Sequence, residues 1–552
     1  MTRKHLAASL FVALALVAGA GPAPARAAEA TQPLFSGLGK HTRKVTTASR
    51  DAQRYFDQGL NFLFAFNHDE AIRSFRQAAV LDPGCAMAHW GIALANGPHI
   101  NNPAVDEAHA RAAWAALGQA QAALAGATPV ERALVGALAA RYADPQPADR
   151  KPLDQAYADA MRGVWRDYPG DADVGALFAE ALMDLRPWDL WTPEGQPQPG
   201  TDEVLATLEA VLARSPRHPL ANHLYIHAVE ASPHPEKADA AADRLRDLMP
   251  SLGHMVHMPL HIDVRRGRWQ QAAAANRKAI EADRRYRERV PEQGFYRIYM
   301  AHNHHMLAYS YMMEGQGERA IAAIGELVAG IPPDFARESA AFVDGYMAMP
   351  LEVLMRFGRW EEILAAPEPA EYHPIARALR HGARGVAYAA QGKTDEARAE
   401  QQLFAAARER VSAEAFFGNN PAAAILDVAE HLLAGEILFR EGERDGGLAE
   451  LRLAVAAEDR LRYDEPPDWI QPVRHALGAA LLEAGQAAEA EAVYREDLRR
   501  LPDNGWSLFG LARSLRMQGR EGEATRAEAD FKQAWKQADV KLRSSCFCQP
   551  GV

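Results

Sequence analysis

The chain contains few cysteines, only Cys85, Cys546 and Cys548 in 552 residues. Three cysteines cannot form the disulfide framework that stabilises many small secreted domains. Cys546 and Cys548 are separated by one residue, which makes an unstrained disulfide between them difficult. We therefore expect residues 536–552 to form a disordered tail, with a soft-metal site at the Cys-x-Cys pair as the alternative.

Several catalytic signatures are also absent from the sequence. It contains no phosphate-binding glycine loop, no G-x-S-x-G nucleophile elbow and no kinase motif set. Two histidine pairs have the four-residue spacing of the zinc-protease motif H-E-x-x-H, but residues 224–226 and 258–260 between them lack the glutamate. Metalloprotease chemistry of that kind is therefore disfavoured.

Long apolar runs are missing except at the start of the chain. Arg3 and Lys4 precede an apolar stretch over residues 6–20, and residues 25–27 read Ala-Arg-Ala, a signal-peptidase cleavage pattern. The stretch is too short to predict a membrane span. We predict a signal peptide over residues 1–27 and a periplasmic or secreted mature protein without a membrane span.

The net charge is negative and excludes the commonest polyanionic partners. The formal charge is −11, and removal of Arg3, Lys4 and Arg26 with the signal peptide moves it to −14. An acidic protein without a basic cluster is repelled by nucleic acid and by anionic membranes. The hydrophobic content of 48% is that of a soluble globular protein.

A helical repeat is the main positive feature. Residues 52–83 read as two short helices joined by a turn, with small residues where the helices touch and aromatic residues between them. These residues fall on the signature offsets of the tetratricopeptide repeat (TPR): Gly59, Phe62, Ala71, Phe75, Ala78 and Pro83. The unit therefore resembles one tetratricopeptide repeat.

The same register recurs along the chain. Further units begin near Pro219, Gly253, Ala301, Asp344, Ala378, Val428, Gln471 and Gly505, with weaker ones near Ala86 and Ala172. Three neighbouring pairs are 34 residues apart, which is the period of this repeat. The resemblance implies an all-α fold, a right-handed superhelix (α-solenoid) of about ten helix-turn-helix units, whose first helices line the concave face.

The repeat register and composition also suggest how the chain is divided. We expect a linker after the signal peptide, then three groups of repeats, then the tail. The predicted boundaries are 1–27 for the signal peptide, 28–50 for the linker, 51–171 for the N-terminal units, 172–330 for a histidine-rich segment, 331–535 for the C-terminal array and 536–552 for the tail.

Histidines are concentrated in the histidine-rich segment. Ten of the twenty lie between His218 and His305, and seven take first-helix positions that face the concave groove. Their spacings of three and four residues put imidazoles on one helix face, as a metal chelate requires. The seven predicted metal ligands are His223, His227, His254, His257, His261, His302 and His305.

The predicted site has further candidate members. Glu180, Asp184, Glu230 and Tyr309 also take groove positions, where they would complete the ligand set or orient the imidazoles. All-nitrogen ligation suits zinc, copper, iron or nickel, so we predict a transition metal and leave copper, zinc and iron open.

A proline-rich loop over residues 187–200 interrupts the repeats before the histidine-rich helices. Long loops in compact arrays are often functional lids. Trp188 and Trp191 would then close the loop over the groove. The alternative is that the two tryptophans cap a local hydrophobic patch.

A finer resemblance covers residues 179–305. Four blocks in this stretch resemble a group of exported bacterial tetratricopeptide proteins with a histidine-rich segment and no established activity, so the resemblance implies a unit but no substrate. The blocks are residues 179–191 (AEALMDLRPWDLW), 225–232 (YIHAVEAS), 257–269 (HMPLHIDVRRGRW) and 301–305 (AHNHH).

Three functional hypotheses follow. The first is an exported metalloprotein that acts as an enzyme on a small molecule or peptide in the concave groove. The second is a periplasmic scaffold that binds an extended peptide or partner protein and holds no metal. The third is metal storage or delivery without turnover. Under each, the repeats after residue 344 are interpreted as an interaction array for a protein partner.

Overall fold

Paired helices make up almost all of the computed structural model, which describes residues 32–549. The predicted signal peptide lies outside these residues. The all-α prediction is confirmed, because the only strands in the described part of the chain form one short hairpin, Phe416–Phe417 (β1) with Asn420–Pro421 (β2). Within the same range, no helix is long and apolar enough to cross a membrane.

The first helices show how the repeat sequence builds a hairpin. Ser49 and Asn67 cap the first two helices by accepting backbone N–H bonds, and Phe75 packs between Gly59 and Gly91 of the flanking helices. The N-terminal helices are α1 (Arg50–Phe64), α2 (His68–Leu81), α3 (Ala86–Ala95), α4 (Glu107–Ala122), α5 (Pro129–Ala139) and α6 (Lys151–Asp167).

The histidine-rich segment continues the helix pairs with one departure from expectation. The unit at Gly253 was expected to begin with a single helix, but it is broken at Pro259, which has no backbone N–H to continue the ladder. The helices here are α7 (Ala172–Met183), α8 (Thr201–Arg214), α9 (Pro219–Glu230), α10 (Asp239–Leu245), α11 (Gly253–His257), α12 (Pro259–Arg265), α13 (Trp269–Arg289), α14 (Arg297–Met313) and α15 (Gly317–Ala329).

The C-terminal array begins with four short helices, α16 to α19, and continues with longer paired helices from α20 onward. Short 3-10 turns at Leu124–Gly126, Pro235–Ala238, Gly294–Tyr296 and Gly345–Ala348 connect elements along the chain. The remaining helices are α16 (Pro333–Glu338), α17 (Ala340–Val343), α18 (Met349–Arg356), α19 (Trp360–Ala365), α20 (Pro374–Ala390), α21 (Thr394–Arg408), α22 (Ala422–Arg440), α23 (Arg444–Glu458), α24 (Val473–Glu483), α25 (Ala487–Arg500), α26 (Gly505–Met517) and α27 (Glu521–Ala534).

The array folds back on itself, so its two ends meet its middle. At the C-terminal end, the Trp506 indole donates a hydrogen bond to the carbonyl of Met312, 194 residues away, at 2.9 Å. At the N-terminal end, the Tyr286 hydroxyl donates to Glu70 at 2.8 Å, across 216 residues. The inner face near the histidine-rich helices is therefore covered by other parts of the chain, where we had expected an open groove.

The tail prediction was wrong for the described residues. Residues 536–549 pack against the C-terminal array, with Cys546 and Cys548 8% and 2% exposed. Ser545 Oγ lies 2.6 Å from the Tyr494 hydroxyl, and the Phe547 ring packs on the aromatic core of α26. Burial of these groups against the helices compensates for the chain entropy that is lost when the tail becomes ordered. The composition of the tail alone did not reveal this packing.

The structure links Cys546 and Cys548 as a disulfide. Their Cα atoms lie 5.2 Å apart, within the usual range for a disulfide. The turn of the packed tail brings the two cysteines close enough to be linked.

Phe75 gives a test of the repeat packing. Its side chain is fully buried, and its ring lies 2.7 Å from where a Cβ would stand on Gly59 or Gly91. Removing this ring leaves a cavity that two glycines cannot fill, so we expect Phe75→Ala to lower the free energy of unfolding by about 3–5 kcal/mol in denaturant titrations. Val80→Ala, at a site on α2 that is 65% exposed, is the control and should change it by less than about 0.5 kcal/mol. Equal losses in both variants would contradict this packing role.

Candidate metal centre

Six of the seven predicted histidine ligands form one cluster between four neighbouring helices. Helix α9 carries His223 and His227, α11 carries His254 and His257, α12 carries His261, and α14 carries His302. The first five side chains are only 0–7% exposed. Consecutive imidazole rings in this cluster lie within 4.8–6.3 Å of each other, centroid to centroid.

The first triad consists of His223, His227 and His254. One ring nitrogen from each lies within 4.8 Å of the others, the separation required of ligands that share an ion. His223 Nε2 and His254 Nε2 are 3.1 Å apart. Two nitrogens bound at 2.0–2.1 Å to a tetrahedral ion are about 3.3 Å apart, so only a small opening of the rings would admit the ion.

The second triad consists of His257, His261 and His302 and meets the same distance limit. His257 Nε2 lies 2.8 Å from His261 Nε2, and the His302 ring stands edge-on to His257 at 4.8 Å. The three residues come from helices α11, α12 and α14. The break at Pro259 therefore lies between two members of this triad.

Acceptors behind the first triad fix which ring nitrogen carries the proton. His223 Nδ1 donates to the Phe64 carbonyl at 2.8 Å, and His227 Nδ1 donates to Glu230 Oε1 at 2.8 Å. A carbonyl oxygen can only accept, so the Nδ1 proton of His223 is held there and its Nε2 keeps a free lone pair. The Nε2 of His227 has no hydrogen-bond partner.

The second triad is oriented in the same way. His257 Nδ1 donates to Asn276 Oδ1 at 2.9 Å. His261 Nδ1 lies 2.7 Å from Glu230 Oε2 and 3.0 Å from Glu465 Oε2. Glu230 thus contacts one histidine of each triad. Acceptors of this kind behind the rings are typical of histidines that bind metal.

Burial keeps most of these imidazoles neutral. Loss of hydration disfavours the charged form and lowers the pKa values of His223, His254, His257 and His302 well below the ordinary value. Neighbouring histidines lower them further, because adjacent imidazolium charges repel. Neutral imidazole is the form that binds a transition metal.

His261 differs from the others because two carboxylates face it. Burial lowers the pKa of His261, but Glu230 and Glu465 outweigh that effect and raise it to about 10. Burial raises the pKa of Glu230, yet the charges of His261 and His227 hold it at about 2. His261 and Glu230 therefore form a charged pair in the apoprotein, and an ion at the second triad has to displace the Nε2 proton of His261.

A small, partly open pocket of about 20 Å³ lies beside the first triad. Its walls include Trp188, Trp191 and Tyr463, and His227 and Glu230 also line it. The Trp188 ring stands edge-on to His227 at 5.2 Å, and the Trp191 indole donates to the Ala228 carbonyl at 2.8 Å. The loop that carries the two tryptophans therefore lies against α9, beside the cluster.

The structure does not bring His305 into either triad. Both of its ring nitrogens lack hydrogen-bond partners, its ring packs edge-on to Tyr346 at 5.6 Å, and burial lowers its pKa to about 3. A spacing of three residues leaves His305 about 60° around α14 from His302, and at that position its ring meets Tyr346 and not the triads. The seventh predicted ligand is therefore a buried core residue.

Tyr309 lies on the same helix but beyond the cluster. It follows His302 by seven residues, which is about 10 Å along the helix axis. The ring is fully buried, packs edge-on to Trp269 at 5.8 Å, and its hydroxyl has no hydrogen-bond partner.

Glu180 and Asp184 form a separate acidic pair, outside both triads. Asp184 lies 2.5 Å from Arg141. Burial and mutual repulsion raise the pKa of Glu180 to about 8, and burial raises the pKa of Asp184 to about 7. Of the predicted carboxylates, only Glu230 contacts the histidines.

Three important residues were missed by sequence reasoning. Glu465 follows α23 in the C-terminal array, which had been interpreted only as an interaction surface, and it reaches His261. Phe66, in the turn after α1, packs its ring on His223 and His254 at 4.4 and 5.6 Å. Asn276 faces His257 from α13. The sequence could have indicated it, because it is a polar residue on the buried side of an alanine-rich helix.

A second polar network connects the helices of the two triads. The Tyr296 hydroxyl accepts from the backbone N–H of His254 at 3.2 Å and donates to Asp283 at 3.3 Å. Asn303, next to His302, donates to the same carboxylate at 2.7 Å. Asp283 thus fixes α11 relative to α14.

Comparison with known proteins finds solved structures of low similarity that are also built from helical repeats. No protein-family profile and no curated protein matches the sequence. Similar solved structures include human IFIT1 dimer with m7Gppp-AAAA, at 12% identity over 90% of this chain and 92% of that chain, with a TM-score of 0.32. The Cut9–Hcn1 hetero-tetramer of the APC/C matches at 12% identity over 88% and 74%, with a TM-score of 0.30.

The TPR domain of P58(IPK) matches at 13% identity over 88% of this chain and 93% of that chain, with a TM-score of 0.19. Scores this low say nothing about ligands or partners. The helix pairs themselves carry the conclusion that this is an all-α tetratricopeptide-type solenoid.

Asp283 gives a prediction about pH. Burial outweighs its two hydrogen bonds and raises its pKa to about 7, from an ordinary value of 3.8. A carboxyl group with a raised folded-state pKa stabilises the fold less as pH rises from its unfolded to its folded pKa. Asp283→Asn keeps an oxygen acceptor but cannot ionise. The melting temperature of this variant minus that of wild type should therefore increase as the pH is raised from 5 to 8.

The measurement is thermal unfolding of both proteins across that range. Glu326→Gln, at an exposed carboxylate on α15, serves as the control and should show no comparable trend. A difference between Asp283→Asn and wild type that stays constant with pH would contradict the raised pKa.

Proposed function

We propose that this protein is an exported metalloprotein that holds transition-metal ions in the six-histidine cluster and acts on a small molecule in the adjoining pocket. The single observation that carries the proposal is the pattern of proton acceptors around the rings. Phe64, Glu230 and Asn276 hold Nδ1 protons outside the cluster, so the Nε2 lone pairs of His223, His227 and His257 point into it.

Protons alone do not satisfy all of these inward lone pairs. A proton can bridge His223 Nε2 to His254 Nε2 at 3.1 Å and His257 Nε2 to His261 Nε2 at 2.8 Å, but His227 Nε2 has no partner. A transition-metal ion satisfies three lone pairs at once, which supports metal binding as the role of the cluster.

Three histidines per ion also favour catalysis over a purely structural site. Structural zinc sites use four protein ligands, whereas catalytic sites keep three and leave a position for water or substrate. The pocket beside Trp188 and Trp191 ends on His227, so a molecule entering it would approach the first triad. The pocket of about 20 Å³ has room for about one water molecule, so a small, partly apolar substrate would enter only if the 187–200 loop moved aside.

The competing functions fit this geometry less well. An extended peptide needs an open groove, but α1, the 187–200 loop and Tyr463 cover the histidine face. Storage and delivery require easy exchange, which burial of the ligands hinders. A protein partner on the C-terminal array stays compatible with a metal centre, as the two roles use different surfaces.

Metal content is the first test. We expect mature protein purified without a histidine tag to contain one or more equivalents of a single transition metal, measured by elemental analysis. His257→Ala/His261→Ala should lose at least half of that metal with helicity retained by circular dichroism. The double variant removes two of the three histidines of the second triad.

The matched control is His305→Ala, which removes a buried histidine from the same helix as His302 but from outside the triads. It should retain the wild-type metal content. If wild-type protein contained no metal after dialysis against copper, zinc or iron, the metalloprotein proposal would fail. The hypothesis of a scaffold that binds an extended peptide or partner protein would then replace it.

Export has its own test, since the proposed location rests on residues 1–27 alone. After expression in a Gram-negative host, we expect the periplasmic fraction to yield a chain that begins at Ala28, identified by intact mass. Charged residues block signal-peptidase recognition, so Ala25→Asp/Ala27→Asp should accumulate the uncleaved precursor. Recovery of full-length wild-type chain from the cytoplasm alone would argue against export.

A further inference from the structure

We infer that the cluster holds two metal ions, one in each histidine triad, with Glu230 as the positioning residue common to both. This inference rests on the proposed function and adds the number of ions and their arrangement. It follows from three observations about the described residues: how the ring nitrogens group, what stands behind them, and how close the triads are.

The first observation is the grouping of ligand atoms. Six imidazoles exceed the four ligands that a tetrahedral ion takes. Their nitrogens divide into two sets of three, each within 4.8 Å, and each set draws on two or three helices. A single ion would therefore leave at least two buried imidazoles with unsatisfied lone pairs, which is costly.

The second observation is the position of Glu230. Its two carboxylate oxygens face different triads, with Oε1 2.8 Å from His227 Nδ1 and Oε2 2.7 Å from His261 Nδ1. A carboxylate behind the ring raises the basicity of a ligand histidine and fixes its orientation. One buried carboxylate thus supports one ligand of each proposed ion.

The third observation is the distance between the triads. The His227 and His261 rings are 5.7 Å apart and the His254 and His257 rings are 5.8 Å apart, so the triads lie side by side. Neither triad contains a carboxylate, and Glu230 and Glu465 offset the added positive charge from behind His261.

Copper titration of single-triad variants tests the inference. Cu²⁺ is the probe, because nitrogen sites bind it most tightly among divalent first-row ions. Chelator-stripped mature protein is loaded with excess Cu²⁺, desalted, and counted by native mass spectrometry. We expect two ions in wild type, one in His223→Ala, one in His302→Ala and none in the double variant.

His305→Ala is the matched control and should bind two ions, since it leaves both triads intact. Glu230→Gln should weaken both sites together, seen as a loss of affinity in both steps of a competition titration. Should the alanine variants lose helicity, His223→Gln and His302→Gln preserve more of the packed volume and replace them.

The outcomes separate the inference from the proposed function. A wild-type protein that binds one ion, lost completely in either single variant, would overturn the two-ion arrangement and leave a single histidine site. A wild-type protein that binds none would overturn the proposed function itself. Two ions in wild type that both persist in the double variant would place the metal elsewhere and reject both triads.

Discussion

Buried imidazoles impose the constraint on which the centre of this molecule depends. An imidazole removed from water keeps a proton on one nitrogen and a lone pair on the other, and both need partners. Here the protons are held by the Phe64 carbonyl, Glu230 and Asn276, which come from three different helices or turns. Because these acceptors stand outside, the Nε2 lone pairs of His223, His227 and His257 point into the cluster, and this arrangement supports the proposed cation site.

That constraint also explains why the solenoid closes on itself. A plain helical array presents its first helices to solvent, where histidines would be hydrated and independent. In this chain α1 and its following turn cover the cluster from one side, and Glu465 reaches it from the C-terminal array. Trp506 and Tyr286 fasten the two ends of the array to its middle through hydrogen bonds across 194 and 216 residues. The closure excludes water and strengthens every electrostatic interaction within.

The repeat register predicts which side of a helix a residue faces, but it does not predict which distant parts of the closed solenoid meet that side. The register correctly placed six histidines on one side of neighbouring helices, because the helical period fixes direction relative to the helix axis. It misjudged His305, since a 60° offset on α14 decides between the cluster and the core beside Tyr346. It also grouped Glu180 and Asp184 with the site, although Arg141 holds Asp184 elsewhere.

Sequence by itself determined the all-α repeat fold, the pairing of small and aromatic residues between helices, and the identity of the six clustered histidines. Each of these depends on contacts within one or a few neighbouring repeats. Tertiary structure alone decided that the tail packs, that the groove is filled, and that Glu465, Phe66 and Asn276 complete the centre. Those contacts join residues far apart in the chain, and their geometry depends on how repeat angles accumulate along the solenoid. Small rotations at each repeat add up, so no local pattern records where the ends of the array meet.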